Sequence, residues 1–303
     1  MTVLITGATG LIGSEIVKQC HNNNITVHYL TTSEDKIETK QNYKGFLWDT
    51  KDGTIDIKCF QNVNTIINLA GATVAERWTS SHKKAILESR LQSLQVLKES
   101  LKKVEHQIEH IISASAIGIY PNSVTNYYEE TYLEISPTFL GEVVEKWEAK
   151  ADEFKELNLK VSKVRIGLVL SADGGALPEM MKPMKLGAGA AFGSGTQWQS
   201  WIHIKDLANI FVYVMQHKIE GTFNGVAPNP VTNNDLTKAV AKTLDKPLIL
   251  PNIPEFAMKL ILGEMHIILF ESQRVSSKKI EENGYHFEYS NLQPALDNIL
   301  GQH

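Results

Sequence analysis

Three glycines within seven residues, Gly7, Gly10 and Gly13, stand directly after the apolar run Val3–Thr6 and open the amphipathic stretch Leu11–His21. A strand that turns this abruptly into a helix leaves the first helical N–H groups without partners. Glycines there let an anionic group approach the backbone closely. The spacing is G-x-x-G-x-x-G, one residue longer than the common G-x-G-x-x-G, in the strand–loop–helix setting that such a loop requires. It predicts a pyrophosphate cradle at the first turn of a doubly wound parallel sheet; a tight turn that binds nothing is the plainer alternative.

The rest of the first half fits that architecture. Strand-like runs at Thr26–Leu30, Gly45–Leu47, Thr65–Leu69, His110–Ser113 and Lys160–Arg165 alternate with helical patterns at Ser81–Lys102 and Phe139–Leu157. Ile86, Leu87, Leu91, Leu94, Leu97 and Leu101 recur at helical spacing and read as core. The segment Asp173–Gly195 carries six glycines and two prolines and reads as a loop-rich excursion over a cleft. A strand-like Gln199–Ile204, a helix from Asp206, a turn-rich Asn224–Asn234 and a helical lobe ending near His303 follow. The expected division is a Rossmann domain over residues 1–170, with 200–225 returning to it. Residues 171–199 and 226–303 form the substrate-side segment and a smaller C-terminal cap lobe.

With 43% hydrophobic residues, 21% charged residues and a formal charge of −4, the chain carries no excess of Lys and Arg for phosphate backbones or anionic lipid. No nucleic-acid or membrane partner is expected. Cys20 and Cys59 lack paired spacing and read as structural thiols; no metal site is expected, and the cytoplasm is the expected compartment.

Thr6-Gly7-Ala8-Thr9-Gly10, with Asn68-Leu69-Ala70-Gly71 after the fourth strand, resembles the extended short-chain dehydrogenase/reductase superfamily. Further segments narrow the resemblance to its NAD(P)-dependent epimerase/dehydratase branch, of the SDR39U1 type. They are Glu76-Arg77-Trp78-Thr79, Glu88-Ser89-Arg90, Ser113-Ala114-Ser115-Ala116-Ile117-Gly118, Lys146-Trp147-Glu148, Arg165–Leu170, Trp201-Ile202-His203-Ile204 and Ser272-Gln273-Arg274-Val275. The resemblance implies a nicotinamide dinucleotide and a small-molecule, nucleotide-sugar-like substrate. Gly7, Thr9, Gly10, Leu11, Ile12 and Gly13 would meet the pyrophosphate, and Leu69, Ala70 and Gly71 would pass beneath the adenosine-side ribose. Ser113 and Ala114 would line the nicotinamide side. Asp49 would meet adenine or hold a surface turn. The long helices Ser81–Lys102 and Phe139–Leu157 would form a homodimer contact.

Cofactor choice turns on the end of the second strand, where an acid selects NAD and an arginine selects NADP. Thr31, Thr32 and Ser33 occupy it, and their hydroxyls incline the expectation to NADP over NAD. Catalysis departs from the superfamily pattern. Its Tyr-x-x-x-Lys pair sets a phenol and an ammonium on one helix face, but Phe139 and Val143 stand in those positions. Ser115 remains, either polarising a substrate oxygen or capping its strand. Tyr120, or Tyr127 or Tyr128, is an alternative phenol, and Lys146 an alternative cation. Arg77 and His203 are candidates on the substrate side and Arg90 on the cofactor side, against plain salt-bridge or satisfied-histidine roles. Two functions stay open: an oxidoreductase, or a cofactor-binding sensor or scaffold without turnover.

Overall fold

A computed structural model describes residues 1–301; Gln302 and His303, at the end of the expected cap lobe, lie outside the described residues. Seven parallel strands form the central sheet: β1 (Thr2–Thr6), β2 (Thr26–Thr31), β3 (Tyr43–Asp49), β4 (Thr65–Asn68), β5 (His110–Ala116), β6 (Lys160–Ile166) and β7 (Gly221–Gly225). Their order is β7-β6-β5-β4-β1-β2-β3, with the short strand Thr39–Lys40 antiparallel at the edge. The chain winds outward in both directions from β1 and β4, so a crevice opens between their carboxyl ends.

Helices cover both faces. α1 (Leu11–Asn22) packs with α5 (Ile204–Gln216) on one face, and α2 (Ser80–Leu101) with α3 (Phe139–Asp152) on the other. Val3, Leu4, Ile5, Ile66, Ile67, Ile111 and Ile112 are fully buried, as near-continuous apolar strands must be in a sheet covered on both sides. A second core, with Leu177, Met184, Trp201, Leu236, Val240 and Leu296, joins α4 (Ala176–Lys185), α6 (Asn233–Thr243) and α10 (Leu292–Leu300). The C-terminal lobe also holds α7 (Glu255–Leu262), α8 (Ile267–Phe270) and α9 (Lys278–Glu282). Among the described residues no helix is long and apolar enough to cross a membrane, and no His, Cys, Asp or Glu cluster could hold a metal ion. Cys20 and Cys59 are buried free thiols whose pKa values burial pushes up.

Three of the differences from the sequence expectation have a local physical reason. Asp173–Gly195 contains α4, which tolerates Pro183 near its C-terminal end. Asn224 and Gly225 belong to a strand instead of a turn, because β7 pairs in register with β6. Phe139–Leu157 is split, tightening into a 3₁₀ turn at Glu153.

His110 begins β5 with its ring buried, Nε2 against Ser162 Oγ at 2.7 Å and Nδ1 without a partner. Burial holds its pKa down at about 4, below the unfolded value near 6.5. The fold therefore binds fewer protons than the unfolded chain, and stability present above about pH 6.5 is lost as pH falls towards 4. The loss is about 3 kcal/mol. Urea unfolding of His110→Gln and wild type across that window should show the slope shrinking in the variant; parallel curves would refute it.

Candidate functional site

The crevice is built around the loop between β1 and α1. Gly7 takes φ +72° and its carbonyl accepts from Gly10 N–H at 3.1 Å, which reverses the chain within one turn. A Cβ at Gly13 would lie 2.1 Å from Gly7 O, so that glycine packs helix onto loop. A Cβ at Gly10 would meet only Gly7 O, at 3.4 Å, so the fold itself leaves room for a side chain there. α1 starts at Gly10 with no side-chain cap and no acid in its first turn, as α10 does at Asn291, whereas α2, α3, α5 and α6 are each capped by a side chain. The open N–H groups and the helix dipole fit a pyrophosphate. Thr9 and Gly10 are exposed and Leu11 and Ile12 half-exposed at this mouth, and a Cβ added at Gly174 or Gly175 would meet the Leu11 side chain at 3.5 or 3.4 Å.

Thr6 ties the switch point together. Its hydroxyl donates to Asn68 Oδ1 at 2.8 Å and accepts from the N–H groups of Leu69 and Ala70 at 3.0 and 3.1 Å. This fixes Leu69-Ala70-Gly71 beside the glycine loop. Beneath Gly71 lies Arg90, whose guanidinium would come within 3.0 Å of a Cβ there. Arg90 donates to the carbonyls of Ala72 and Ile86 at 3.0 and 2.8 Å and stacks over Trp147 at 4.9 Å. Among the described residues no carboxylate pairs with it, and burial pushes its pKa down to about 10. An uncompensated, half-buried cation under the crevice suits an anionic ligand.

At the end of β2 the hydroxyl cluster is largely spent. Thr31 is buried and its Oγ1 accepts from Ser33 N–H at 3.2 Å, while Ser33 Oγ donates to Asp35 Oδ1 at 2.5 Å. Thr32 alone stands exposed without a side-chain hydrogen bond. The expectation of three free donors is corrected to one. Asp49 Oδ1 accepts from Lys51 and Asp52 N–H at 2.7 and 3.1 Å, so it holds a surface turn.

Ser115, Tyr120 and Ser113 are turned inward. Ser115, Arg165 and Asn224 are register partners across β5, β6 and β7. Ser115 Oγ donates to Glu148 Oε1 at 2.6 Å, and Glu148 is clamped by Arg165 Nε and Nη2 at 2.8 and 2.9 Å. Arg165 Nη1 donates to Tyr120 Oη at 2.9 Å, and Tyr120 donates to Asn224 Oδ1 at 2.8 Å. Burial pushes the Tyr120 phenol up to about 12. Both hydroxyls, at 2% and 1% exposure, therefore serve a closed network between sheet and α3, which corrects their reading as open proton donors. Ser113 is also buried, donating to Ala114 O at 3.0 Å.

His203 is buried and engaged within the fold: its Nδ1 accepts from Lys205 N–H at 3.0 Å to cap α5, and Nε2 lies 3.2 Å from Asn298 Oδ1. Burial holds its pKa down, keeping the acceptor neutral. Lys146 pairs with Glu142 on the helix surface at 2.6 Å. Arg77 is exposed, beside the backbone of Gly263 in the C-terminal lobe. Phe139 and Val143 close an apolar cluster with Trp78, Ile86, Leu140 and Met265. The buried partners Glu148, Arg165 and Asn224 were missed from sequence; an arginine inside an apolar strand was the available signal.

Comparison with known proteins agrees with this geometry. The model of the NAD dependent epimerase/dehydratase family matches residues 3–225, and a domain of unknown function, DUF1731, matches residues 253–299. An epimerase family protein of Staphylococcus epidermidis is 37% identical over 298 residues, 98% of each chain, and one of Staphylococcus aureus is 36% identical over 99% of each. Among solved structures, human epimerase family protein SDR39U1 (isoform 2) with NADPH is similar over 100% of both chains at 28% identity and a TM-score of 0.86. The nucleoside-diphosphate sugar epimerase of Corynebacterium glutamicum is 30% identical with a TM-score of 0.79, covering 99% of this chain and 58% of that one. A family model that matches most of the chain, including every strand of the parallel sheet, places it in the NAD dependent epimerase/dehydratase family.

Proposed function

We propose that the protein is an NAD(P)-dependent oxidoreductase of epimerase type, taking NADP over NAD and acting on a small polar, nucleotide-sugar-like substrate. The observation that carries it is the uncapped start of α1 beside the unpaired Arg90, two anion-seeking features at one crevice. Thr32 remains free to donate to a 2′-phosphate, and the similar human protein was solved with NADPH. Gly7, Thr9, Gly10, Leu11, Ile12 and Gly13 would hold the pyrophosphate, and Leu69–Gly71 with Arg90 the adjoining ribose. A bound nicotinamide supplies hydride transfer. The substrate would lie between the Gly-rich segment 173–195 and the C-terminal lobe, with Arg77 at its rim. The cytoplasm and a homodimer through α2 and α3 complete the proposal.

Paired calorimetric titrations test the cofactor choice: NADPH should bind at least as tightly as NADH. A clear NADH preference would overturn it. The second reading, a cofactor-binding sensor without turnover, is favoured by one observation, the apolar Phe139–Val143 cluster. Transfer of deuterium from 4-deuterated NADPH to any member of a sugar-nucleotide panel would exclude it.

A further inference from the structure

The formal charge of −4 is an average over the whole surface, and one edge of the C-terminal lobe departs from it. Six of the thirteen large hydrophobic side chains that stand exposed among the described residues lie on two segments. They are Leu186 at the end of α4, and Ile249, Leu250, Phe256, Leu260 and Ile261 on and just before α7. The two segments are neighbours. Ile253 N–H donates to Ala191 O and Gly193 N–H to Ile253 O, each at 2.8 Å, and Asn252 Nδ2 donates to Gly193 O at 2.9 Å. Nearer α4, a Cβ at Gly189 would meet the side chains of both Met184 and Leu248.

α7 has no buried residue, so core packing does not account for its apolar sequence. It is held from its ends: Glu255 Oε1 lies 3.1 Å from Nε2 of the buried His266, and Met265 beyond it packs into the Trp78–Phe139–Val143 cluster. Five of the six exposed side chains, from Ile261 at 66% to Leu186 at 86%, stand out from the surface instead of lining a groove. A bound peptide helix needs a groove, whereas a lipid interface takes protruding apolar side chains. Charge separates lipid from a second copy of the chain. Over residues 176–193 and 245–264, Glu179 pairs with Lys182, Glu255 with His266 and Glu264 with Lys83. Among the described residues Lys185, Lys246 and Lys259 meet no carboxylate, and Asp245 is the one acid there without a cation. Lys259 lies inside α7, between Phe256 and Leu260. A twofold contact would set this edge against itself and bring the lysines together. Anionic headgroups would neutralise them while their stems lie along the apolar side chains.

We propose that this edge is a peripheral docking surface for an anionic lipid bilayer. Phe256, Leu260 and Ile261 enter the headgroup layer, and Lys185, Lys246 and Lys259 meet its charge. Docking of this kind lays the protein on the membrane without spanning it and requires no bound dinucleotide.

Flotation of the full chain tests this with two kinds of vesicle, phosphatidylcholine alone and phosphatidylcholine mixed with phosphatidylglycerol. At low salt the wild type should bind the mixed vesicles at least about 10-fold more tightly than the neutral ones, since each lysine near an anionic surface contributes about a factor of five. Raised salt should remove that difference. Phe256→Ser with Leu260→Ser should lower binding to the mixed vesicles by about 10-fold or more, at an unchanged melting temperature, because neither side chain is buried. Lys185→Glu with Lys259→Glu should lower it to the level of the neutral vesicles. No binding to the mixed vesicles, equal binding to both kinds at low salt, or full binding by the serine variant overturns the proposal. So does sedimentation of the wild type as a dimer that the serine variant abolishes, which would assign the edge to a second copy of the chain.

Discussion

Gly10→Asp is expected to weaken dinucleotide binding by about 100-fold or more, while the protein unfolds at no lower temperature than wild type. Function and stability separate here because the fold does not need the glycine. Gly10 has φ −82° and ψ 174°, extended backbone open to any residue, and a Cβ would touch only Gly7 O at 3.4 Å. It is also the N-cap of a helix with no side-chain cap. Aspartate is among the best N-caps, better than glycine by a few tenths of a kcal/mol. The same carboxylate would accept from the N–H of Ile12 or Gly13 and set negative charge where the pyrophosphate must lie. Gly13→Ala is the contrasting control, since its Cβ would fall 2.1 Å from Gly7 O and strain the loop itself. Calorimetric titration with NADPH and scanning calorimetry separate the two; an unchanged affinity in Gly10→Asp would move the cradle away from this loop.

The contrast between those two glycines shows what a sequence can and cannot disclose. The strand–loop–helix at Val3–His21 is legible because it is local: apolar period, turn residues and helix start lie within twenty residues. The edge strand β7 was not, because Gly221-Thr222-Phe223-Asn224-Gly225 resembles a turn until β6 pairs with it. Likewise Ser115 looks like an open hydroxyl in one dimension. Its partner Glu148 sits a helix away, and only sheet register aligns Ser115 with Arg165 and Asn224. The hydroxyls of Thr31 and Ser33 are taken up by their own turn, which depends on backbone angles that residue types leave open. The backbone geometry of the first loop was therefore visible, whereas side-chain partners brought together over long range were not.

The missing Tyr-x-x-x-Lys pair leads to the other large effect, since sequence alone invites Phe139→Tyr with Val143→Lys as a restoration. The structure predicts that the lysine destabilises the protein by about 3–5 kcal/mol, lowering its melting temperature by on the order of 10 °C. Val143 is 2% exposed, in an apolar cluster with Trp78, Ile86, Leu140 and Met265. Phe139 differs: it is half-buried, edge-on to Trp78 at 5.3 Å with Lys83 Nζ 5.2 Å above its ring. A hydroxyl added at its rim should cost less than about 1 kcal/mol. Val143→Met separates shape from charge, as an apolar enlargement whose overpacking costs about 1–3 kcal/mol. The charge component also has a pH signature. Burial would hold the new lysine's pKa below its unfolded value near 10.4, so the folded variant binds fewer protons than the unfolded chain. Its penalty is then full at neutral pH and shrinks as pH rises towards 10. Urea unfolding of Val143→Lys and Val143→Met at pH 7 and pH 9.5 measures this directly. Equal stability of the two variants at pH 7 would mean that water or an anion already reaches Val143, and that the superfamily's ammonium would fit this pocket after all.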